Sequence, residues 1–429
     1  MIGVLGLGRE TRELLAVLDR DEPGADVLLV DERPIDPAGL PDTPRLKLTT
    51  HAPVDLDDPS ALPETVRSIY RSPGVSPYRA AVAAAIQRGV TTSTPTGRWA
   101  AGRDNHDVIA ITGTKGKSTT AAMTAHLLRA AGRRVELLGN IGRSALSAGP
   151  AIAADDVVLE LSSYQLADLD AAFGLAGITT LLRDHVPWHG SVGRYHADKL
   201  RLLTLADRTV VDPVIADHPA VRPGRQPSSI ATTTAHDRLR PALEAAGLLG
   251  EHLVRDAALA LALVDARLET RDGALHLADA MADFVPLPHR LSPVRSHLGI
   301  TWVNDSISTV PESAVAAVRT YLTRGPVTVL LGGDDRGQDV EVLRDLLRDD
   351  RVNAVLLPPV GERWADQLAT VAPERTHPAD DLDDAVKRAA AITPSGGAVV
   401  LSPAAPSFGS FRDFVERGER FTQLVAALP

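Results

Sequence analysis

The run Ile111-Thr112-Gly113-Thr114-Lys115-Gly116-Lys117-Ser118-Thr119-Thr120 constrains this chain most, because it sets a glycine-rich turn between an apolar stretch and a helical one. The pattern predicts a strand over Asp107–Ile111 and a helix over Ser118–Ala131. A turn of this kind, followed by the positive end of a helix, surrounds nucleotide phosphates with backbone N–H groups. Lys117 then reaches phosphate oxygens, and the Ser118 hydroxyl can ligate Mg²⁺. ATP binding is expected through Gly113, Thr114, Lys115, Gly116, Lys117, Ser118 and Thr119. The general phosphate-loop pattern asks for a glycine five residues before Gly116, where Ile111 stands. The shorter form Thr112–Ser118 is a narrower signature. A plain strand-to-helix turn is the alternative, but it leaves unexplained why Gly, Gly, Lys and Ser all fall where phosphate chemistry uses them.

The 429 residues, 44% of them hydrophobic, suffice for about three domains with buried cores. Short β-type apolar runs alternate with amphipathic helical stretches in three blocks, which predicts an α/β fold with mainly parallel sheets covered by helices. In the first block the strand Ile2–Leu5 leads into Gly6-Leu7-Gly8 and a helix through Leu18, and a second strand, Asp26–Val30, ends at Asp31. That is the opening of a dinucleotide-binding fold, except that Thr11 occupies the third glycine position. Ser72-Pro73-Gly74-Val75 reads as a turn at the carboxyl edge of the same sheet. The polar stretch 102–107 marks a boundary. The second block holds the phosphate loop, strands Val157–Leu161, Gly177–Leu182 and Val210–Val214 with a following helix, and a helix over Arg255–Ala266. Pro286-Leu287-Pro288 suggests a linker. Beyond it Gly299–Asn304, Val327–Gly333, Ala354–Leu357 and Ala398–Ser402 read as strands, each followed by a helix. The expected domains are 1–104, 105–286 and 287–429.

A net charge of −10 with a pI near 5.7 argues against a general nucleic-acid or membrane-surface role. The chain has no cysteine, so it has no disulfide framework and no thiol chemistry. It opens on an apolar strand, and no uninterrupted apolar run approaches the ~20 residues needed to span a bilayer. A cytoplasmic protein without a membrane partner is expected. Aromatic residues are only 3%, so Tyr164 and Trp188 stand out.

A phosphate loop of this type needs an acid for Mg²⁺, and Glu160, closing an apolar strand, is best placed. Asp184-His185 follows another apolar run, and Tyr195-His196-Ala197-Asp198-Lys199 lies on an expected helix. Imidazole is an unusual ligand for Mg²⁺, so on residue chemistry alone His185 reads as structural or as a ligand. Lys199 reads more simply as a surface lysine beside Asp198.

Taken together, Thr112–Ser118, Gly139-Asn140-Ile141-Gly142, Glu160-Leu-Ser-Ser-Tyr-Gln-Leu166, Asp184-His185, Tyr195–Lys199, Leu287-Pro-His-Arg290, Asn304-Asp-Ser306 and Leu401-Ser-Pro-Ala404 follow in the order seen in the Mur ligases. The chain most resembles their MurD type, which adds glutamate to UDP-N-acetylmuramoyl-L-alanine in peptidoglycan synthesis. The resemblance covers all three blocks. It implies an N-terminal Rossmann-like UDP-binding domain, a central phosphate-loop ATPase domain and a C-terminal Rossmann-like domain that binds glutamate. It also implies an amide-forming reaction through an acyl phosphate, with ATP and two Mg²⁺ ions. Lys117, His185 and Lys199 match catalytic positions, and Ser118, Glu160, His185 and Lys199 match metal ligands, with Lys199 carried as a carbamate formed with CO₂. An ammonium repels Mg²⁺, whereas a carbamate is an anionic oxygen donor. Gly8, Arg9, Asp31, Glu32, Arg33, Ser72, Pro73, Gly74 and Asn140 match positions near the UDP-sugar. Arg290 and Asp305 match nucleotide contacts, and Thr309, Arg336, Ser407 and Phe414 match contacts to glutamate. A monomer is expected.

Two departures from the family pattern carry information. The helix start His-Asn-x-x-Asn, whose second asparagine holds adenine, is here His252-Leu253-Val254-Arg255-Asp256, and Asp256 accepts but does not donate. Where the D-glutamate-adding enzymes carry lysine stands Ile307; losing a charge-assisted contact costs about 1.5–3 kcal/mol. Arg336 also replaces a lysine, and the two are not interchangeable. Ile307, Arg336 and Trp188-His189-Gly190 together resemble the branch that adds L-glutamate, with a separate epimerase acting afterwards on the product. D-glutamate addition is the alternative. A non-catalytic nucleotide-binding relative is disfavoured because Lys117, Ser118, Glu160, His185 and Lys199 all survive. A folylpolyglutamate synthase is disfavoured by the Gly6-Leu7-Gly8 block and by Glu160-Leu-Ser-Ser-Tyr-Gln165. An NAD dehydrogenase would leave the phosphate loop without a task.

Overall fold

The computed structural model describes residues 1–141, 143–219, 221, 232–269, 273–297 and 299–429, so Gly142 of the second motif lies outside the described residues. By contacts the chain divides into two compact units, Met1–Ala242 with His252–Met281, and Leu243–Glu251 with Ala282–Pro429.

The first unit contains two five-stranded sheets. One is built from β1 (Ile2–Leu5), β2 (Asp26–Val30), β3 (Lys47–His51), β4 (Ser68–Arg71) and β5 (Thr91–Ser93), all parallel, in the order β3-β2-β1-β4-β5. The other is built from β6 (Val108–Thr112), β7 (Val135–Gly139), β8 (Asp156–Glu160), β9 (Phe173–Ile178) and β10 (Ala206–Val211), again all parallel, in the order β10-β9-β6-β8-β7. Every residue of β6, β8 and β9 is buried. Strands covered on both faces read as continuous apolar runs rather than as alternation, which is why β6 and β8 are visible in the sequence. A single apolar cluster takes Val4, Leu14 and Leu29 from the first sheet and its helix, and Val108, Leu138 and Leu159 from the second.

Two expected strands shift. The stretch predicted over Gly177–Leu182 is instead β9, Phe173–Ile178, because Thr179, Thr180 and Leu182 leave the sheet to fasten the phosphate loop. The strand predicted over Val210–Val214 ends at Val211, where Asp212 accepts from Val214 N and starts a single 3₁₀ turn, Pro213–Ile215, in place of the expected helix.

The second unit carries one sheet: β11 (Ser292–His297), β12 (Ile300–Asn304), β13 (Val327–Gly332), β14 (Val352–Leu357), β15 (Thr376–Pro378) and β16 (Ala398–Leu401), in the order β11-β12-β16-β13-β14-β15. Only β11 runs antiparallel, and its register shifts between Pro293 and Arg295. Proline belongs on such an edge because it has no N–H for a second neighbour. The side chains alternate across this sheet. Val303, Val329, Leu331 and Val400 join a cluster on one face, while Trp302, Leu330, Val355 and Val399 join one on the other.

Candidate active site around the phosphate loop

The central strand β6 delivers Gly113 and Gly116 with φ of 148° and 87°, in the region that favours glycine. A Cβ at Gly113 would collide with Thr179 Oγ1, and one at Gly116 with the Asp256 carboxylate. Asp256, on the helix Glu251–Leu268, is thus packed directly against the phosphate loop. Thr114 N donates to Thr180 O at 2.6 Å, Lys115 N donates to Thr180 Oγ1 at 3.0 Å, and the Tyr195 hydroxyl donates to Thr114 Oγ1 at 2.9 Å. Lys117 opens the helix Lys117–Ala130 and donates to Thr114 O at 3.1 Å.

Glu160 ends β8, paired in register with Ile111 of β6 and Gly139 of β7. Its side chain is fully buried. Oε1 accepts from Asn140 Nδ2 at 3.1 Å, whereas Oε2 has no hydrogen-bond partner among the described residues. A buried carboxylate oxygen without a donor is costly unless something else meets it, and a divalent cation does so. Asn140, expected near the UDP-sugar, is therefore held beside the acid of the phosphate site.

Lys199 lies on the helix Val192–Leu200 and is 2% exposed. Its amine stands 5.0 Å from the Tyr195 ring centroid, and among the described residues no carboxylate lies within ion-pair distance. Burial, and then the charge of Lys117, hold its pKa well below the ordinary lysine value, while Asp184 and Glu160 pull the other way. His185 takes a left-handed backbone, φ 49°, and its Nδ1 lies 2.9 Å from the Tyr164 hydroxyl. Burial lowers its pKa, opposed by Asp184 and reinforced by Lys199 and Lys117. Lys115 pairs with Asp184 at 3.7 Å. Residues from four segments of sequence thus feel one another's charge at the loop. Among the described residues no three His, Cys, Asp or Glu side chains converge on a metal-sized space. The donors present are a lone carboxylate oxygen at Glu160, a hydroxyl at Ser118 and an imidazole held neutral by burial at His185, a set that fits a hard cation once one more anionic oxygen is added.

The sequence gives no hint of what braces this site. Arg71, fully buried, makes a bidentate ion pair with Asp168 and donates to Tyr164 O at 2.7 Å and Val75 O at 3.0 Å. Trp188 stacks on Tyr164 with centroids 4.3 Å apart and donates to Gly74 O at 2.9 Å. Two of the few aromatic residues are spent tying the turn after β4 to the segment that carries His185.

At the carboxyl ends of β1 and β4 the remaining expected residues meet. Ser72 N donates to Leu5 O at 2.7 Å, and a Cβ on Gly8 would press on Ser72 Oγ. Asp31 Oδ2 accepts from Leu7 N at 2.7 Å, and Asp31 Oδ1 accepts from Arg33 N at 2.9 Å. Glu32 pairs with Arg79 at 2.6 Å, a partner not anticipated, and Arg9 and Arg33 are exposed. Crevices of this kind, where strand order reverses, are where such sheets bind ligands.

In the second unit, Asp305 follows β12 and is buried. Leu291 N donates to its Oδ1 at 3.2 Å and the Ser402 hydroxyl to its Oδ2 at 2.7 Å. Burial pushes its pKa up to about 7 against those donors and Arg290. Asp334 N donates to Pro406 O at 2.8 Å and Arg336 lies over Phe408 at 5.4 Å, which brings Arg336 to the segment carrying Ser407. Thr309 is exposed, and Phe414 offers its carbonyl to Ser306 Oγ at 2.8 Å. Arg417, also unanticipated, is buried among the carbonyls of Ser306, Ala405 and Pro406, and burial lowers its pKa to about 10. With Ser407, Phe411 and Gly333 it lines a cavity of about 170 Å³.

Residues 111–236 match the model of the Mur ligase middle domain. A UDP-N-acetylmuramoyl-L-alanine--L-glutamate ligase of Micromonospora sp. is 37% identical over 99% of this chain and 96% of its own length. The enzyme of the same name from Xanthomonas euvesicatoria is 38% identical over 84% of this chain and 82% of its own. The chain belongs to the Mur ligase family. MurF ligase of Thermotoga maritima, solved with ADP, shares the fold of this Mur ligase, with a TM-score of 0.58 at 14% identity over 99% of this chain and 93% of that one. Among the described residues of the ligase no helix is long and apolar enough to cross a membrane.

Proposed function

We propose that this Mur ligase is an ATP-dependent enzyme that joins L-glutamate to UDP-N-acetylmuramoyl-L-alanine in peptidoglycan synthesis. The observation that carries the reading is the buried amine of Lys199, without a carboxylate partner among the described residues, in the field of Lys117 and Glu160. A carboxylate is a poor electrophile. Transfer of the ATP γ-phosphoryl group to the L-alanyl carboxylate forms a C–O–P linkage and releases ADP. The glutamate amine then attacks the carbonyl carbon and loses a proton, the C–N bond forms, and phosphate departs. Lys117 and the loop amides meet the charge that develops on the phosphoryl group. Ser118, Glu160, His185 and a carbamate on Lys199 would hold two Mg²⁺ ions, which neutralise charge gathered between anions. A lysine whose pKa is depressed supplies the neutral amine that adds to CO₂, losing a proton to give the carbamate.

In this reading residues 1–104 bind the UDP-sugar through Gly8, Arg9, Asp31, Glu32, Arg33, Ser72, Pro73, Gly74 and Asn140. Residues 105–286 bind ATP, with Asp256 on the nucleotide. Residues 287–429 supply Arg290 and Asp305 to the nucleotide and Thr309, Arg336, Ser407 and Phe414 to glutamate. The planar fork of Arg336 suits a carboxylate. The enzyme acts in the cytoplasm as a monomer, and an epimerase consumes its product. The reading is tested by phosphate release from ATP. Release that requires both UDP-N-acetylmuramoyl-L-alanine and glutamate supports it, and release indifferent to either sinks it. Lys199→Ala is expected to be inactive and rescued by a short carboxylic acid, and full activity of the unsupplemented variant rejects the carbamate.

A further inference from the structure

Four polar side chains outside the expected site form one hydrogen-bonded line. The Tyr78 hydroxyl donates to Asp198 Oδ1 at 2.7 Å, Asp198 Oδ2 lies 2.6 Å from His189 Nδ1, and His189 Nε2 lies 3.0 Å from Ser163 Oγ. One neutral tautomer satisfies every member, with Nδ1–H donating to the carboxylate and Nε2 accepting from the serine hydroxyl. Serine, histidine and aspartate in this order form a nucleophile triad in other proteins. Here Ser163 is 2% and His189 0% exposed, so no acyl group reaches the hydroxyl. The line holds geometry instead.

Its members sit at informative places. Tyr78 closes the segment that begins with Ser72-Pro73-Gly74 after β4. Ser163 lies three residues beyond Glu160, Asp198 immediately precedes Lys199, and His189 lies four residues beyond His185. Parallel ties join the same segments: Ser76 Oγ donates to Trp188 O at 2.9 Å, and Trp188 donates to Gly74 O at 2.9 Å. Ser163, His189 and Asp198 are buried while Tyr78 is exposed, so displacing any of the three inner members leaves a buried polar group unpaired, and the line fixes one arrangement from the exposed tyrosine inward.

We propose that His189 is a positioning residue, the pivot through which the segment 72–78 sets the helix of Lys199 and the strand end of Glu160. Binding of the UDP-sugar acceptor at that segment is thereby coupled to the phosphate-binding centre. The proposal rests on the reading of Ser72-Pro73-Gly74 as an acceptor contact.

Two readouts test it. In protein labelled with ¹⁵N-histidine, the short Nδ1–H of His189 gives a downfield, slowly exchanging proton signal, and Tyr78→Phe, which removes only the distant donor, shifts it. Calorimetry with UDP-N-acetylmuramoyl-L-alanine as the probe then compares wild type, Tyr78→Phe, Ser163→Ala and the double variant. Ser163→Ala, made at the far end of the line from the acceptor segment, is expected to weaken acceptor binding roughly fivefold or more, and the double variant to bind no worse than the weaker single. His189→Phe keeps the ring packed against Trp188, 4.4 Å away, and Tyr195, 5.1 Å away, and loses the same affinity. Should it fail to fold, the other variants decide. Wild-type affinity in Ser163→Ala, or single effects that multiply in the double variant, overturns the proposal. A wild type that does not bind the acceptor refutes both the acceptor reading and the coupling. An unmoved histidine signal in Tyr78→Phe refutes the line itself.

Discussion

The first compact unit contains two glycine turns that leave the carboxyl end of a central strand in a five-stranded parallel sheet, and they commit their backbone amides to different partners. After β1, Leu7 N is taken by the Asp31 carboxylate, and Gly8 N by Thr11 Oγ1, which itself donates to Gly6 O at 2.7 Å. Thr11, standing where the dinucleotide fingerprint has glycine, thus occupies the Gly8 amide and the Gly6 carbonyl. After β6 the amides of Thr114 and Lys115 go to the neutral Thr180, and the turn then opens a helix with Lys117 and Ser118. At the first turn a carboxylate, Asp31, holds a backbone amide, with the exposed Arg9 and Arg33 nearby, whereas Lys115, Lys117 and Lys199 stand at the second among Glu160, Asp184 and Asp256. Topology places a ligand at both turns, and the lysines and the helix start at the second mark it as the one suited to a triphosphate and its transfer.

The contrast is most easily broken at Lys117. Lys117→Ala is expected to lower kcat by about 10³ or more, since it removes the charge that meets the transferring phosphoryl group. It should leave acceptor affinity by calorimetry unchanged, and substantial turnover would mean that phosphate chemistry does not sit at the second turn. Next in size is Arg71→Met, which removes a fully buried guanidinium and leaves the largely buried Asp168 and the carbonyls of Tyr164 and Val75 without their donor. It should cost about 3–5 kcal/mol in urea unfolding monitored by fluorescence. A loss below about 1 kcal/mol would show that Arg71 is not what braces the segment carrying Tyr164 to the turn after β4. Thr11→Gly completes the fingerprint on paper. The expected outcome is a loss of about 1 kcal/mol with no nucleotide binding gained at the first turn, and a new NAD or ATP site by calorimetry would defeat the charge argument.

The last prediction is a slope rather than a level. Lys199 has a folded pKa depressed by burial, so between that value and about 10.4 the unfolded chain binds more protons than the native one, and stability rises with pH. Lys199→Met should flatten the urea midpoint between about pH 7.5 and pH 9.5 in CO₂-free buffer. An unchanged slope contradicts the buried amine.

What the sequence makes legible follows from burial. The fully covered β6 and β8 appear within one residue of their predicted places because their middles are unbroken apolar runs, and the α/β class and the family follow from such runs and their motifs. The exposed edge strands β3, Lys-Leu-Thr-Thr-His, and β5, Thr-Thr-Ser, carry no pattern and pass unseen. The reading of Ile307, Arg336 and Trp188-His189-Gly190 as an L-glutamate-adding set agrees with the names of the curated relatives. His189 illustrates the limit. As a residue in a tripeptide it served only resemblance, since its two partners lie 26 residues before it and 9 after it. Arg71 and Arg417 escape for the same reason, as arginine is usually a surface residue and their burial depends on carbonyls and acids assembled from distant segments.

The central claim is that the phosphate loop activates a muramoyl-peptide carboxylate for capture by an amine. Its most direct test is mass spectrometry of the product formed from ATP, UDP-N-acetylmuramoyl-L-alanine and each glutamate enantiomer supplied separately. The account predicts UDP-N-acetylmuramoyl-L-alanyl-L-glutamate with the L form and little product with the D form. Efficient product from D-glutamate would contradict the choice of branch, and no dipeptidyl product from either would contradict the ligase itself.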